Sequence, residues 1–109
     1  MAPSYDLVIY GATGFTGTLA AKYVATQYSG GQVKWAIAGR SRSKLEALAA
    51  LCGGPGVIVA EATDEAALAE LCKQTKVVAA CAGPFARYGK CLVAACVANG
   101  TDCEYMHAR

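Results

Sequence analysis

The stretch VIYGATGFTGTLAAKY, residues 8–23, joins an apolar run to a glycine-rich turn and then to an alanine-rich segment. The apolar run predicts a buried strand, and the alanine-rich segment predicts a helix that begins in the turn. Gly11, Gly14 and Gly17 recur at every third position. Such a turn needs a residue that reverses the chain, one that lets a ligand approach the backbone, and one where helix and strand touch. The spacing therefore predicts a strand–turn–helix unit that receives an anion at the helix N-terminus.

The chain has 109 residues, of which 55% are hydrophobic and 17% charged, so its composition is that of one folded domain, residues 1–109. The net charge is +2, and the basic residues are scattered along the chain. This pattern argues against a nucleic-acid partner. No secretory signal is recognisable, and no apolar run reaches the roughly 18 residues of a membrane span. We therefore expect a cytoplasmic protein without a membrane partner.

The cysteines of this chain have no CxxC spacing, and His107 is its one histidine. This pattern is not typical of a metal site or a disulfide framework. We therefore predict no metal site, and six free thiols that act as small apolar core residues in a reducing compartment. These are Cys52, Cys72, Cys81, Cys91, Cys96 and Cys103.

Short apolar runs alternate with amphipathic stretches along the whole chain. Strands are predicted at residues 6–10, 33–38, 57–60, 77–81 and 102–105. Ser43 with Glu46 predicts a capping box for the second helix, Asp64 predicts the N-cap of the third, and the fourth is expected over residues 90–99, ending at Gly100. The predicted fold class is α/β: a doubly wound, Rossmann-like parallel sheet with strand order 3-2-1-4-5. A crevice is expected between strands 1 and 4 at their carboxyl ends.

The glycine turn is the first candidate binding site. A glycine triplet alone is a weak signal, and GxGxxG is the commoner dinucleotide spacing, but this triplet follows a strand and opens a helix. We therefore predict that the turn binds the pyrophosphate of a dinucleotide cofactor; a purely structural turn is the alternative. The residues concerned are Gly11, Ala12, Thr13, Gly14, Phe15, Thr16 and Gly17.

The segment after the second strand decides which dinucleotide is expected. An acidic residue usually stands there in NAD-binding domains, but this chain has Arg40, Ser41 and Arg42 instead. Guanidinium groups suit the 2′-phosphate of NADP because they present a planar fork of donors. The segment therefore predicts NADP, with Arg40 ranked first and Arg42 second; a solvated basic loop is the alternative.

A third candidate segment follows the fourth strand, across the predicted crevice. Gly83 and Pro84 predict a fixed extended turn there, and with Ala82 they are expected to lie near the nicotinamide end of the cofactor. Phe85 and Tyr88 either flank the nicotinamide or substrate, or fill the core.

Taken together, the runs YDLVIYGATGFTG, WAIAGRSRSKLEAL, VVAACAGPFARYG and LVAACVANGTDCEY resemble the N-terminal domain of the saccharopine dehydrogenase-like oxidoreductases, which include the trans-acting enoyl reductases. The resemblance covers nearly the whole chain. It implies an NADP-dependent Rossmann domain, with residues 11–17 on the pyrophosphate, Arg40 and its neighbours on the 2′-phosphate, and the Gly83–Pro84 turn near the nicotinamide.

Members of that family continue into a large second domain, which shapes the substrate site. We therefore expect this chain to be a fragment of a longer enzyme or a stand-alone cofactor domain, inactive by itself. The catalytic residues, substrate and oligomeric state stay open. A non-catalytic NADP(H)-sensing module of the NmrA-like type is the alternative function. The short-chain dehydrogenases are disfavoured because no tyrosine of this chain is followed by lysine four residues later.

Overall fold

The computed structural model describes residues 4–28, 31, 33–61, 63–81 and 96–105. Strands and helices alternate along this part of the chain. They are β1 (Tyr5–Tyr10), α1 (Phe15–Gln27), β2 (Trp35–Gly39), α2 (Arg42–Leu51), β3 (Gly56–Val59), α3 (Glu65–Lys73), β4 (Thr75–Ala80) and β5 (Asp102–Tyr105).

The five strands form one parallel sheet in the order β3-β2-β1-β4-β5, which confirms the predicted fold class and strand order. Ile9 of β1 is in register with Ile37 of β2 and with Ala79 of β4. The strands with the most buried residues, β1, β2 and β4, lie inside the sheet, whereas β3 is an edge strand and is less buried.

Each face of the sheet has its own apolar core. On one face, Ile9 and Ile37 pack with α1 and with Leu45 of α2. On the other face, Val8 and Val78 pack with α3 and with the helical residues 96–99. Because side chains alternate along a strand, adjacent residues such as Val8 and Ile9 belong to opposite cores. Ala12 of the glycine turn belongs to the core on the α1 and α2 side.

Several predicted element boundaries are wrong; β4, for example, runs from Thr75 to Ala80 rather than over residues 77–81. β2 begins at Trp35 rather than at residue 33, because the Lys34 N–H donates to the side-chain carboxylate of Asp6, at 3.1 Å, instead of to the backbone of β1. The capping box at Ser43 is also wrong, since Ser41 is the N-cap of α2 and its hydroxyl accepts a bond from the Lys44 N–H at 3.5 Å.

The other helix predictions agree with the described residues. Asp64 is the N-cap of α3, and its carboxylate accepts a bond from the Ala67 N–H at 3.1 Å. Residues 96–99 are helical, and Gly100 follows them with a φ of 66°, as expected for a helix that ends there. The predicted start of this helix lies outside the described residues. Within the described ranges, no helix is both long and apolar enough to cross a membrane.

The α1 side of the sheet is incompletely covered by the elements that the structure describes. An open groove of about 400 Å³ lies between α1 and β4. We call it the α1 groove; it is lined by Leu7, Ile9, Thr16, Leu19, Ala20, Tyr23, Val24 and Ala79. Phe15, Leu19 and Tyr23, spaced four residues apart on α1, are respectively 77%, 55% and 61% exposed. They form an apolar stripe along one side of the helix.

Candidate functional site

The carboxyl ends of four strands are tied into one edge by hydrogen bonds. The Cys81 N–H, after β4, donates to Tyr10 O of β1 at 2.8 Å. The Gly11 N–H, after β1, donates to Ala38 O of β2 at 2.9 Å, and the Ala60 N–H, after β3, donates to Gly39 O of β2 at 2.8 Å. The segments that follow these strands therefore emerge side by side, as a ligand site at the carboxyl edge of an open sheet requires.

Gly11 makes the turn itself. Its φ is 78°, in the left-handed region that favours glycine, and its carbonyl accepts a bond from the Gly14 N–H at 3.1 Å. The chain thereby reverses immediately after β1 and enters α1 from the carboxyl edge. This is the first of the three roles predicted for the glycines.

Gly17 is where helix and strand touch. A Cβ on this buried residue would collide with the carbonyl oxygen of Gly11, and it would lie 2.7 Å from Ala12 Cα. Thr18 closes the same contact, because its hydroxyl donates to Ala12 O at 3.0 Å. The first turn of α1 therefore rests directly on the backbone that leaves β1.

Gly14 has no such internal reason to be glycine. It is exposed, its φ of −76° is open to any residue, and a Cβ there would meet only Gly11 O, at 3.4 Å. Gly14 is also the N-cap of α1, where no side chain makes a capping bond. An outside acceptor can therefore approach the backbone N–H groups of the first turn.

The first turn of α1 suits an anion for a second reason. It contains no acidic residue, so no side-chain charge opposes an anion at the positive end of the helix dipole. By contrast, α2 and α3 are capped by Ser41 and Asp64. Among these three helices, α1 alone presents an uncapped N-terminus, and it does so at the carboxyl edge.

The remaining residues of the turn divide between core and surface. Ala12 is fully buried, Thr13 is exposed, Thr16 is partly buried, and Phe15 projects into solvent. Thr13 and Thr16 are thus the turn's accessible hydroxyl side chains.

The Arg40–Arg42 segment lies at the same edge, after β2. Arg40 is exposed and stands between Gly39, the last residue of β2, and Ser41, the N-cap of α2. Arg42 is the first residue of α2, and its guanidinium lies 3.9 Å from the Glu46 carboxylate, four residues along the helix. Of the two arginines, Arg40 is therefore better placed to meet a ligand that leaves the glycine turn.

Glu61 is a residue of this edge that the sequence analysis did not single out. It is exposed and follows Ala60, the residue after β3; its charge raises the pKa of Tyr10, whereas the charge of Arg40 lowers it. That hydroxyl donates to Ala60 O at 3.0 Å, and burial raises the pKa of Tyr10 to about 12. The sequence signal that could have identified Glu61 is its position directly after the apolar run VIVA, because residues that follow parallel strands lie together at the carboxyl edge of the sheet.

The far side of the predicted crevice is described only as far as Cys81. This residue is buried, and burial raises the pKa of its thiol to about 11. The predicted nicotinamide-side residues Ala82, Gly83 and Pro84 lie outside the described residues, as does His107. Over the ranges that are described, no three His, Cys, Asp or Glu side chains form a group able to hold a metal ion.

Residues 7–104 match the protein family described as the saccharopine dehydrogenase NADP binding domain. The chain belongs to this family. It is 37% identical to a mouse saccharopine dehydrogenase-like oxidoreductase, over 96% of this chain and 30% of that protein. It is 41% identical to a trans-acting enoyl reductase of Mycobacterium leprae, over 90% of this chain and 24% of that protein. The chain thus spans 24–30% of these relatives' length.

Solved structures agree with the family's fold. The chain superposes on yeast saccharopine dehydrogenase with a TM-score of 0.75 at 20% identity, over 96% of this chain and 22% of that chain. It superposes on an NADPH-dependent quinone oxidoreductase of Escherichia coli, solved with NADPH, with a TM-score of 0.72 at 24% identity, over 91% and 35% respectively. These similarities show a Rossmann-like nucleotide-binding fold.

Proposed function

We propose that this chain binds NADP(H) at the carboxyl edge of its sheet and forms the cofactor domain of a saccharopine dehydrogenase-like oxidoreductase. The observation that carries the proposal is the uncapped N-terminus of α1 behind Gly14, beside Arg40 on the same edge. Membership of the NADP-binding family supports the choice of cofactor.

The glycine turn is assigned to the pyrophosphate. Its free N–H groups and the positive end of α1 favour a doubly charged ligand, and the absence of a side chain at Gly14 leaves room for close approach. Residues 11–17 form this cradle. Gly11 and Gly17 maintain its shape, whereas Gly14 is the residue that the ligand contacts.

Arg40 is assigned to the 2′-phosphate, which distinguishes NADP from NAD. A dinucleotide held at the turn after β1 would reach the end of β2, the strand beside it in the sheet. Arg40 is exposed there and takes part in no ion pair with the carboxylates of the described residues. Ser41 is a weaker candidate because its hydroxyl already caps α2.

Calorimetric titration with NADPH and NADH, at one fixed salt concentration, tests this assignment. We expect the wild-type chain to prefer NADPH, and Arg40→Ala to weaken NADPH binding by roughly tenfold to hundredfold, since a charge-assisted hydrogen bond contributes about 1.5–3 kcal/mol. NADH binding should change little. Salt must be fixed because it screens phosphate contacts.

Arg42→Ala is the matched control, because Arg42 is also an exposed arginine but is drawn toward Glu46. It should leave the preference for NADPH nearly intact. Adenosine 2′,5′-bisphosphate and adenosine 5′-monophosphate repeat the comparison with ligands that differ only in the 2′-phosphate. Equal losses for both cofactors in Arg40→Ala, or equal effects of the two arginine variants, would refute the 2′-phosphate assignment.

The chemical role follows from the cofactor. NADPH, when bound, supplies a hydride from C4 of its nicotinamide ring, and the protein supplies position and electrostatics. The residues of this chain would bind and orient the adenosine and pyrophosphate parts. We place the substrate site and the proton-transfer group in a second domain of a longer protein, in line with the share of each relative that this chain spans. Ala82, Gly83 and Pro84 stay the predicted nicotinamide-side residues.

A further inference from the structure

Two cysteines face each other in the core on the α3 side of the sheet. Cys72 lies in the last turn of α3, and Cys96 lies 24 residues later in the helical stretch 96–99. Their sulfur atoms are 3.5 Å apart, and each residue is 1% exposed. Folding therefore brings together two thiols that are distant in sequence.

Thr101 holds the backbones of both cysteines. Its hydroxyl donates to Cys72 O at 2.7 Å, and its N–H donates to Cys96 O at 2.9 Å. One residue thus fastens the end of α3 to the end of the following helix, directly beside the sulfur pair. The backbone segments that carry the two sulfurs are therefore held next to each other.

The two thiols differ in acidity because of their contact. The hydrogen bond from the Cys96 thiol lowers the pKa of Cys72, against the opposing effect of burial, and the same bond raises the pKa of Cys96. The thiolate is the nucleophilic form of cysteine. Cys72 is therefore the first sulfur to react, and Cys96 is the partner that resolves the product.

We propose that Cys72 and Cys96 are a reversible modification site, a dithiol that hydrogen peroxide converts to an intrachain disulfide. The Cys72 sulfur attacks the peroxide, so that an S–O bond forms, the O–O bond breaks and one water leaves, giving a sulfenic acid. The Cys96 sulfur then displaces the hydroxyl from this sulfur, so that the S–S bond forms and a second water leaves. The two sulfurs together give two electrons to the peroxide.

The geometry allows this step with small movements. A disulfide requires about 2 Å between the sulfurs, so the pair must close by roughly 1.5 Å. Since both sulfurs are buried, peroxide enters through local opening at the end of α3. Cys103, which is partly buried and also interacts with the Cys96 thiol, is the one competing partner that the described residues place there.

Peptide mapping of the whole chain after peroxide treatment tests the proposal. The reduced chain is treated with hydrogen peroxide, alkylated, digested with trypsin and analysed by tandem mass spectrometry. We expect a dithiothreitol-sensitive link between peptides 45–73 and 91–109, with a mass loss of about two hydrogens. Fragmentation of the linked peptides should place it at Cys72 and Cys96 rather than at Cys52, Cys91 or Cys103.

Variants separate the proposed pair from the other thiols. Cys72→Ser and Cys96→Ser should each abolish the link, and Cys52→Ser and Cys103→Ser should leave it. In the wild-type chain, a link to Cys103 instead of Cys96 would overturn the proposal, and so would overoxidation of separate thiols without any link. Neither outcome depends on how stable the variants are.

Discussion

Gly14 and Gly17 are separated by less than one helical turn, yet they are glycines for different reasons. At Gly17 the space is filled by the chain's own backbone, whereas at Gly14 it is open to solvent. A substitution at Gly17 therefore affects folding, and a substitution at Gly14 affects what approaches from outside. The two positions allow fold and binding to be tested separately.

Gly17→Ala is expected to destabilise the chain by roughly 1–3 kcal/mol or more. The added methyl group collides with backbone atoms, which cannot rotate out of the way as a side chain can. Gly14→Ala should cost at most about 1 kcal/mol, the usual scale of an N-cap change. Urea denaturation of both variants measures these costs. In the same preparations, Gly14→Ala should weaken the binding of both NADPH and NADH. Equal destabilisation by the two variants would contradict the division of roles.

The structural roles of the turn glycines could be predicted because few backbone arrangements require glycine at this spacing between a strand and a helix. The roles of Gly11 and Gly17 follow from the strand–turn–helix order and agree with the structure. Glu61 was missed because its place beside Tyr10 and Arg40 depends on strand order rather than on local sequence. A carboxylate near a proposed phosphate site becomes evident only when β3 is placed next to β2.

At the scale of elements, the three helices differ in which groups accept hydrogen bonds from the N–H groups of their first turns. Asp64 caps α3 with a bond of 3.1 Å, Ser41 caps α2 with a longer bond of 3.5 Å, and α1 has no side-chain cap. An unsatisfied N-terminus is unfavourable unless water or a ligand supplies the acceptors. The helix that lacks a cap is the one to which we assign the pyrophosphate.

Asp64→Ala is expected to lower the free energy of unfolding by about 1 kcal/mol, and Ser41→Ala by somewhat less because its bond is longer. Ser43→Ala is the matched control: Ser43 lies inside α2 and is not the N-cap, although its hydroxyl lies 3.4 Å from that of Ser41, so the change should cost less than Ser41→Ala. Chemical denaturation of the three variants gives the comparison. If Ser43→Ala lowers the free energy of unfolding as much as Ser41→Ala does, Ser43 contributes to the cap as the predicted capping box requires.

Element boundaries were less predictable than element types. Two serines, Ser41 and Ser43, both have N-cap chemistry, and local sequence favoured the second because Glu46 completes a capping box with it. In the folded chain α2 starts earlier, since the backbone is extended at Ser41, with φ of −107° and ψ of 106°, and becomes helical at Arg42. Likewise, β2 starts later because Lys34 bonds to Asp6, a residue 28 positions away.

At the scale of the whole molecule, the sheet order was predictable because right-handed crossovers leave few arrangements for alternating strands and helices. What a short chain does not reveal is how completely each face is covered. The α1 groove and the stripe formed by Phe15, Leu19 and Tyr23 are exposed in the part of the chain that the structure describes. These side chains stabilise the fold little and leave apolar surface in water.

Charging the stripe is expected to improve solubility without loss of stability. A chain with Leu19→Lys and Tyr23→Lys should tolerate higher ammonium sulfate before precipitation, because exposed apolar area is removed. Its thermal unfolding midpoint should stay close to that of the wild type. Val24→Lys is the control, since Val24 is next to Tyr23 but only 8% exposed. If the double variant unfolds as early as the Val24 variant, the stripe is packed within the chain.

Arg40 belongs neither to β2 nor to α2 and contributes to neither the core nor a cap. Cofactor preference, as proposed here, therefore depends on a residue whose exchange costs the fold almost nothing. A single codon change at this position would then be enough to remove the preference for NADPH. In evolution or in engineering, coenzyme choice would then be free to follow cellular supply of the two nucleotides, while the sheet, the glycine turn and the helix starts stay constant.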